Sequence, residues 1–318
     1  MGMAFSSEMA DLGDDDFVDS SGVKIHCVTR GTGPLVVLTH GIPGFWYDWR
    51  YLMPALAEHF RVVAIDQRGF NLSDQPDGVE NYALDKLIGD VDAVLKHFGQ
   101  PKVTLVGHDS GGWISWCYAM AHPDRTERLV ILNLPHPGCI ERELANNPRQ
   151  YEASDYARQF QQSPKGNRKF VAPDGSEGEL TPELYASAFK DEEPKYVAAL
   201  RRSSIEAMIN FYKANYPRPP YEEKTYPPVK CPVLMIHGLD DPWLMPEALN
   251  GTWRYLEKEL TLVTVPKAGH WVHLDAADLV TKRLLGWLTQ KQVPPAGRDL
   301  ARAIKHKKSK TGLDNDRP

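Results

Sequence analysis

The sequence contains no apolar run approaching the ~20 residues of a membrane span, no paired cysteines, no HExxH-type metal signature and no surplus of positive charge. Each absence removes a class of protein. Lys and Arg total 37 against 42 Asp and Glu, a formal net charge of -5, which argues against a nucleic-acid partner. The four cysteines, Cys27, Cys117, Cys139 and Cys231, are scattered and form no CxxC pair, so neither a zinc clip nor a redox pair is expected. Unpaired thiols suit a reducing, cytoplasmic setting. Without a metal motif, no metal and no cofactor is implied. The N-terminal "MGMAFSSEMADLGDDDF" lacks a basic region followed by an apolar stretch, so no secretory signal is expected. No internal repeat is visible, and nothing in the sequence sets the number of subunits.

What is present is enough apolar material for a sizeable core, 42% of 318 residues, in one large domain or one domain with an insertion. "VKIHCV", "LVVLTH", "VVAID", "VTLVGH" and "LVILNL" are β-branched apolar runs ending in turn chemistry and read as strands. "ALDKLIGDVDAVLKHFG" has helical periodicity closed by Gly99. Alternation of the two predicts a mostly parallel, doubly wound α/β sheet covered on both faces. From residue 136 to about 221 no convincing strand is visible and the pattern is helical, with polar loops such as "QQSPKGNRK" and "APDGSEGEL". Then "PVLMIHG" and "TLVTV" resume the strands, and "AADLVTKRLLGWL" closes as an amphipathic helix. The expected organisation is therefore a flexible stretch 1–16, a core in two parts (17–135 and 222–292), a helical cap 136–221 between them, and a flexible basic tail 293–318.

The stretch "LVGHDSGGWISW", residues 105–116, has the form of a strand entering a helix through a sharp turn, a setting suited to a nucleophile. Such an elbow needs small residues two positions before and after its centre, because side chains there would collide. Centred on Asp109 the flanks are Gly107 and Gly111; centred on Ser110 they are His108 and Gly112. The imidazole disfavours serine, and Asp109 becomes the candidate nucleophile. Its alternative role is a plain helix cap. A triad would continue in the order acid, then histidine. "VLMIHGLDDPWL" offers Asp240 and Asp241 after a strand; "VTVPKAGHWVHLD" offers His270 after the next, with His273 close by. His40, His97, His108, His136 and His237 suit structural roles.

"HGIPGFWYDWR", "AIDQRGFNLSDQP", "GHDSGGW", "NLPHP", "NFYKANYP" and "GHWVH", in this order, resemble the epoxide hydrolase family of the α/β-hydrolase fold superfamily. The resemblance runs from about residue 17 to 290 and is weaker between about 162 and 200. It implies an α/β-hydrolase fold with an inserted helical cap. It selects Asp241 as the acid, three residues after the glycine of "HGLDD". It implies Tyr156, from "SDYARQFQ", and Tyr212, from "NFYKANYP", as cap phenols, with Tyr151 the competitor for the first position. One motif departs: the family usually carries tryptophan after the nucleophile, where this chain has Ser110, and the change bears on substrate shape.

An aspartate nucleophile suits an electrophilic sp³ carbon, which it opens by in-line displacement to form an ester. His270, oriented by Asp241, would then activate water. The backbone N–H groups of Ile42 and Ser110 would hold the oxyanion, and the two phenols would protonate or hydrogen-bond the epoxide oxygen. His40, Phe45, Trp46 and Trp271 are the expected pocket residues, while Trp49, Arg50 and Arg68 read as structural. The expected partners are a small hydrophobic epoxide and water, with no nucleic acid and no membrane span. A haloalkane or haloacid dehalogenase would use the same Asp109, but Ser110 removes the usual indole donor, and no arginine lies between Ser110 and Trp116. An esterase centred on Ser110 is sterically poor. A hydrolase-fold receptor that binds without turnover is the alternative outside enzymes.

Overall fold

The structure is a computed structural model that describes residues 11–171 and 175–290. The expected flexible segment 293–318 and the start of the N-terminal one, 1–10, lie outside the described residues. The strands are β1 (Asp14–Ser20), β2 (Val23–Arg30), β3 (Leu35–Thr39), β4 (Arg61–Ile65), β5 (Val103–His108), β6 (Thr126–Leu132), β7 (Lys169–Val171), β8 (Glu177–Glu179), β9 (Val233–Gly238) and β10 (Leu260–Val265). Eight of them form one sheet in the order β1-β2-β4-β3-β5-β6-β9-β10. The pairs β1/β2 and β2/β4 are antiparallel, and all pairs from β4 onward are parallel.

The central strands β3, β5 and β9 are buried at every residue, which is why they read as continuous apolar runs: helices cover both faces. Among these helices, α1 (Leu84–His97) buries Leu87, Val91, Val94 and Leu95 on one face, the spacing of an amphipathic helix. Its C-terminus closes with Gly99 at φ +63° and a bond from the Gln100 N–H to the Leu95 carbonyl, 3.0 Å. Helix α2 (Ser110–Ala121) is buried from Ser110 through Met120, as a helix enclosed on all sides must be.

Between β6 and β9 the chain leaves the sheet and forms α3 (Pro137–Asn146), α4 (Pro148–Ala153), α5 (Asp155–Gln162), α6 (Pro182–Ala186), α7 (Glu193–Arg202) and α8 (Ile205–Asn215). Two elements differ from expectation. Within this helical segment β7 and β8 pair antiparallel, Lys169 opposite Glu179. Strands of three residues containing Lys, Gly and Glu are too short and polar to show alternation. The flexible N-terminal stretch was expected through residue 16, but the chain enters β1 at Asp14. The acidic run finds partners there: Asp15 lies 2.9 Å from His26, and Asp16 lies 2.9 Å from His97.

The helical segment is fastened to the core through polar contacts. The Tyr196 hydroxyl donates to buried Asp48 at 2.6 Å, and the Ser204 N–H donates to the Gly69 carbonyl at 2.8 Å. Arg50 caps the rings of Tyr47 and Tyr51 and donates to the Tyr196 oxygen at 3.3 Å. Arg68 pairs with buried Asp90 at 2.6 Å. Trp49 stacks on His273. All three structural readings from the sequence match these contacts. Among the described residues, no helix is long and apolar enough to cross a membrane.

Candidate active site

The sharp turn forms where β5 meets α2. Asp109 sits at φ +51° and ψ -123°, a conformation that a non-glycine residue adopts only under strain of about 1–3 kcal/mol. The strain is held by the surroundings. A Cβ on Gly111 would lie 2.2 Å from the Thr39 carbonyl oxygen, and one on Gly107 would lie 2.5 Å from the Gly111 carbonyl oxygen. Helix α2 can therefore approach the end of β3 only with glycine at these positions. The close approach brings the Ile42 N–H to Asp109 Oδ1 at 3.0 Å. Ser110 opens α2, so its N–H is one of the free donors at a helix N-terminus, where the dipole also favours a carboxylate.

Asp241 and His270 arrive from the loops after β9 and β10, on the same edge of the sheet as Asp109. This is the carboxyl end of parallel strands, where α/β sheets place their sites. His270 Nδ1 lies 2.8 Å from Asp241 Oδ2, and its Nε2 lies 3.5 Å from Asp109 Oδ2. Asp241 is almost fully buried and fully engaged. Its Oδ1 accepts from the Trp243 and Leu244 N–H groups, and its Oδ2 also accepts from Asn133 Nδ2 at 2.7 Å. Burial alone would raise its pKa, but the His270 charge and these hydrogen bonds bring it down to about 2. Asp240, one residue earlier, is exposed. His273 is buried against Trp49 instead.

Burial disfavours an imidazolium at His270, yet the Asp241 charge and the contact with Asp109 outweigh it and lift the pKa to about 10. Asp109 is likewise held below the usual carboxylate range: burial opposes this, and His270, with the Ile42 N–H, overcomes it. The resting arrangement is thus one imidazolium between two carboxylates. Neutralising Asp109 would remove one of the two charges that keep His270 protonated. His108 packs on the His270 ring and donates its Nε2–H to the His270 carbonyl at 2.9 Å. Burial and the His270 charge lower its own pKa to about 3, so it stays neutral.

A cavity of about 290 Å³ lies over Asp109 and His270. Tyr156 and Tyr212 both line it, their rings edge to face at 5.6 Å between centroids. Burial pushes both phenols well above their usual pKa, with the Asp109 charge adding to it, so they remain proton donors at neutral pH. Tyr151 is 44% exposed under Arg158 and is not among the cavity residues. Ile42 and Trp271 do line the cavity. His40, Phe45 and Trp46 do not, contrary to expectation. The His40 ring is consumed by the Gly41 carbonyl and the Gln67 N–H. Phe45 packs edge to face on Tyr196, and Trp46 is fully buried.

The sequence reading missed Phe160, Phe170, Leu180, Leu184, Tyr185 and Trp243 in the cavity wall. Most come from the short helices and the hairpin, where no register was visible. Trp243, two residues after Asp241, carried a usable signal: an aromatic beside a candidate acid. Asn133 was also missed. Its Nδ2 holds Asp241 and its Oδ1 accepts from the Gly238 N–H at 3.0 Å, joining the ends of β6 and β9. A polar residue directly after an apolar strand was the available sign.

A strained aspartate between strand and helix, a histidine bound to a second carboxylate, and a mostly parallel sheet under helices define a hydrolase of the nucleophile-elbow class. The family model described as alpha/beta hydrolase fold matches residues 34–277. Epoxide hydrolase 1 of Caenorhabditis elegans is 31% identical over 88% of this chain and 71% of its own length. Epoxide hydrolase 4 of Homo sapiens is 30% identical over 86% of this chain and 78% of its own. The crystal structure of the M145A mutant of an epoxide hydrolase from Bacillus megaterium superposes with a TM-score of 0.77 at 27% identity, covering 86% of this chain and all of that one. The chain belongs to the α/β-hydrolase fold superfamily and, within it, to the epoxide hydrolase family.

Proposed function

We propose that this protein hydrolyses a small hydrophobic epoxide to a vicinal diol through an ester on Asp109. What supports the reading most is that two protonated phenols, Tyr156 and Tyr212, share one cavity with Asp109 and His270. Asp109 Oδ2 attacks an oxirane carbon and the carbon–oxygen bond breaks. The leaving oxygen takes a proton from a phenol. Esterification removes the Asp109 charge, which lowers the proton affinity of His270; the imidazolium gives its proton back toward the phenolate and becomes a base. It then deprotonates water, which attacks the ester carbonyl carbon. Negative charge develops on Oδ1, where the Ile42 N–H already points, with the Ser110 N–H as the second donor. Collapse breaks the bond between the carbonyl carbon and Oδ2, which leaves with the substrate as an alkoxide; the alkoxide takes the proton of the newly formed carboxyl group, which releases the diol and restores the Asp109 carboxylate beside the His270 imidazolium. Asp241 keeps the His270 ring oriented throughout.

We read residues 17–135 and 222–292 as the two parts of the core and 136–221 as the cap. The burial of all four unpaired cysteines is consistent with a cytoplasmic protein. One observation gives a second reading some footing: Trp243 and Trp271 line the cavity, and the buried Trp271 Nε1 has no partner, so an indole donor is at hand for a departing halide. Diol formation from an aryl epoxide, measured beside halide release from a bromoalkane of similar size, separates the two. Diol with little halide is expected. Tyr156→Phe or Tyr212→Phe should each slow epoxide opening by roughly ten- to a thousandfold, and the double variant should nearly stop it. Efficient halide release without diol, or full epoxide activity in the double variant, would refute the proposal.

A further inference from the structure

Ser110 is the residue at which this chain departs from its family's pattern, and beside it lies a second, smaller cavity. Its volume is about 20 Å³. It shares Asp109, Tyr156 and Tyr212 with the main cavity, so the two spaces adjoin at the nucleophile and the phenols. Its remaining wall comes from Ser110 and Trp113 on α2 and from Leu134, Ile140, Phe211, Tyr216 and Leu244. The main cavity extends instead toward Phe170, Leu180 and Leu184. A ring held with one carbon at Asp109 and its oxygen at the phenols therefore has space in two directions, one large and one small.

The small space fits a single compact group, since roughly 10–15 Å³ of such volume already holds one water. The character of the wall decides between occupants. A buried water needs two to four polar partners. Here the Tyr216 hydroxyl is engaged by Ser154 at 2.9 Å, and Ser110 Oγ is the unpartnered polar atom on the inner side. Asp109 and the two phenols stand at the shared mouth, where the bound ring itself engages them, and the lining surface as a whole is mostly apolar. We infer that the pocket beside Ser110 is a substrate subsite for a second, methyl-sized substituent on the oxirane, so that the enzyme takes epoxides substituted on both ring carbons, one group large and the other no bigger than methyl. This rests on the epoxide reading and specifies its substrate class. Serine is what opens the subsite: a larger side chain at position 110 would occupy it.

The test uses styrene oxide, trans-β-methylstyrene oxide and the trans-β-propyl homologue, with kcat/KM for diol formation measured on each. In the wild type, burying one methyl should make the β-methyl compound as good as styrene oxide or up to about fourfold better, and the propyl compound should be at least about tenfold worse than the methyl one. Ile140→Phe and Ser110→Val fill the pocket from two different helices, α3 and α2. Each should lower the β-methyl to styrene oxide ratio by about tenfold or more, with circular dichroism confirming the fold. The ratio cancels any general loss of activity in a variant. An unchanged ratio in both variants would overturn the subsite. So would a wild type that turns over the propyl compound as fast as the methyl one, a result that stands even where a variant fails to fold. No diol from styrene oxide in the wild type would overturn the reaction itself, and the subsite with it.

Discussion

Replacing Gly111 by alanine would put a methyl carbon 2.2 Å from the Thr39 carbonyl oxygen and 2.4 Å from that of His40. Ordinary contact begins near 3.4 Å, so the shortfall at Thr39 is 3.4 − 2.2 = 1.2 Å. Neither neighbour is a flexible side chain; both are backbone leading into the turn that presents the Ile42 N–H. Either the start of α2 or the end of β3 must move by about an ångström, parting Ile42 from Asp109. Overpacking of this kind costs about 1–3 kcal/mol of stability, and a 1 Å misplacement of reacting groups can cost about a hundredfold in rate. Gly89 is the matched control. It lies inside helix α1 with nothing within 4 Å of an added Cβ, so Gly89→Ala should stabilise by about 0.5–1 kcal/mol and leave kcat alone. The assay is thermal unfolding by circular dichroism beside steady-state diol formation on both variants. Gly111→Ala with the wild-type melting temperature and kcat would show that the elbow does not depend on close packing. A loss of stability with kcat intact would show that packing there does not position Asp109.

Three further outcomes are expected. His270→Gln should still be alkylated but fail to hydrolyse the ester, so mass spectrometry of the variant with substrate should find an adduct on the peptide containing Asp109; its absence with a substrate the wild type consumes counts against two steps. Asp241→Asn should slow hydrolysis by at least a hundredfold more than Asp240→Asn, by analogy with the loss from removing a triad carboxylate, because Asp241 alone of the two touches His270; single-turnover kinetics would reveal the reverse. Because the His270 pKa rises from an ordinary ~6.5 to about 10 on folding, its pairing stabilises the fold fully below about pH 6.5 and is lost as pH rises through about 10. Melting temperature should therefore fall between pH 7 and 10 more steeply in the wild type than in His270→Gln.

The core strands could be read from sequence because burial on both faces leaves a bare apolar run, as in "LVVLT" and "VTLVGH". The elbow at Asp109 was legible in its flanking Gly107 and Gly111, whereas Asp240 and Asp241 stayed open on the residues alone and only the family resemblance selected Asp241. The resemblance preferred Tyr156 to Tyr151, but local pattern did not, since both lie in short polar helices and only Tyr156 lines the cavity. Phe45 and Trp46 misled for a similar reason: proximity in sequence to the Ile42 turn says nothing about which face of the next turn meets solvent. The β7/β8 hairpin was invisible because each strand has three residues and the two pair through the backbone, Lys169 opposite Glu179, which leaves no alternation of side chains to read.

The interruption of the sheet between β6 and β9 has a consequence for how the protein comes into being. Asp109 and Asn133 belong to the part of the chain made before the helical segment, and Asp241 and His270 to the part made after it. A nascent chain that has emerged through residue 221 carries Asp109, Tyr156 and Tyr212 but neither Asp241 nor His270. Until β9 docks against β6, the strained aspartate stands without the histidine that depresses its pKa. Hydrolytic competence thus becomes a readout of a late assembly step, the joining of two halves of one sheet across a finished insertion, and truncated or nicked chains should be recognisable by its loss.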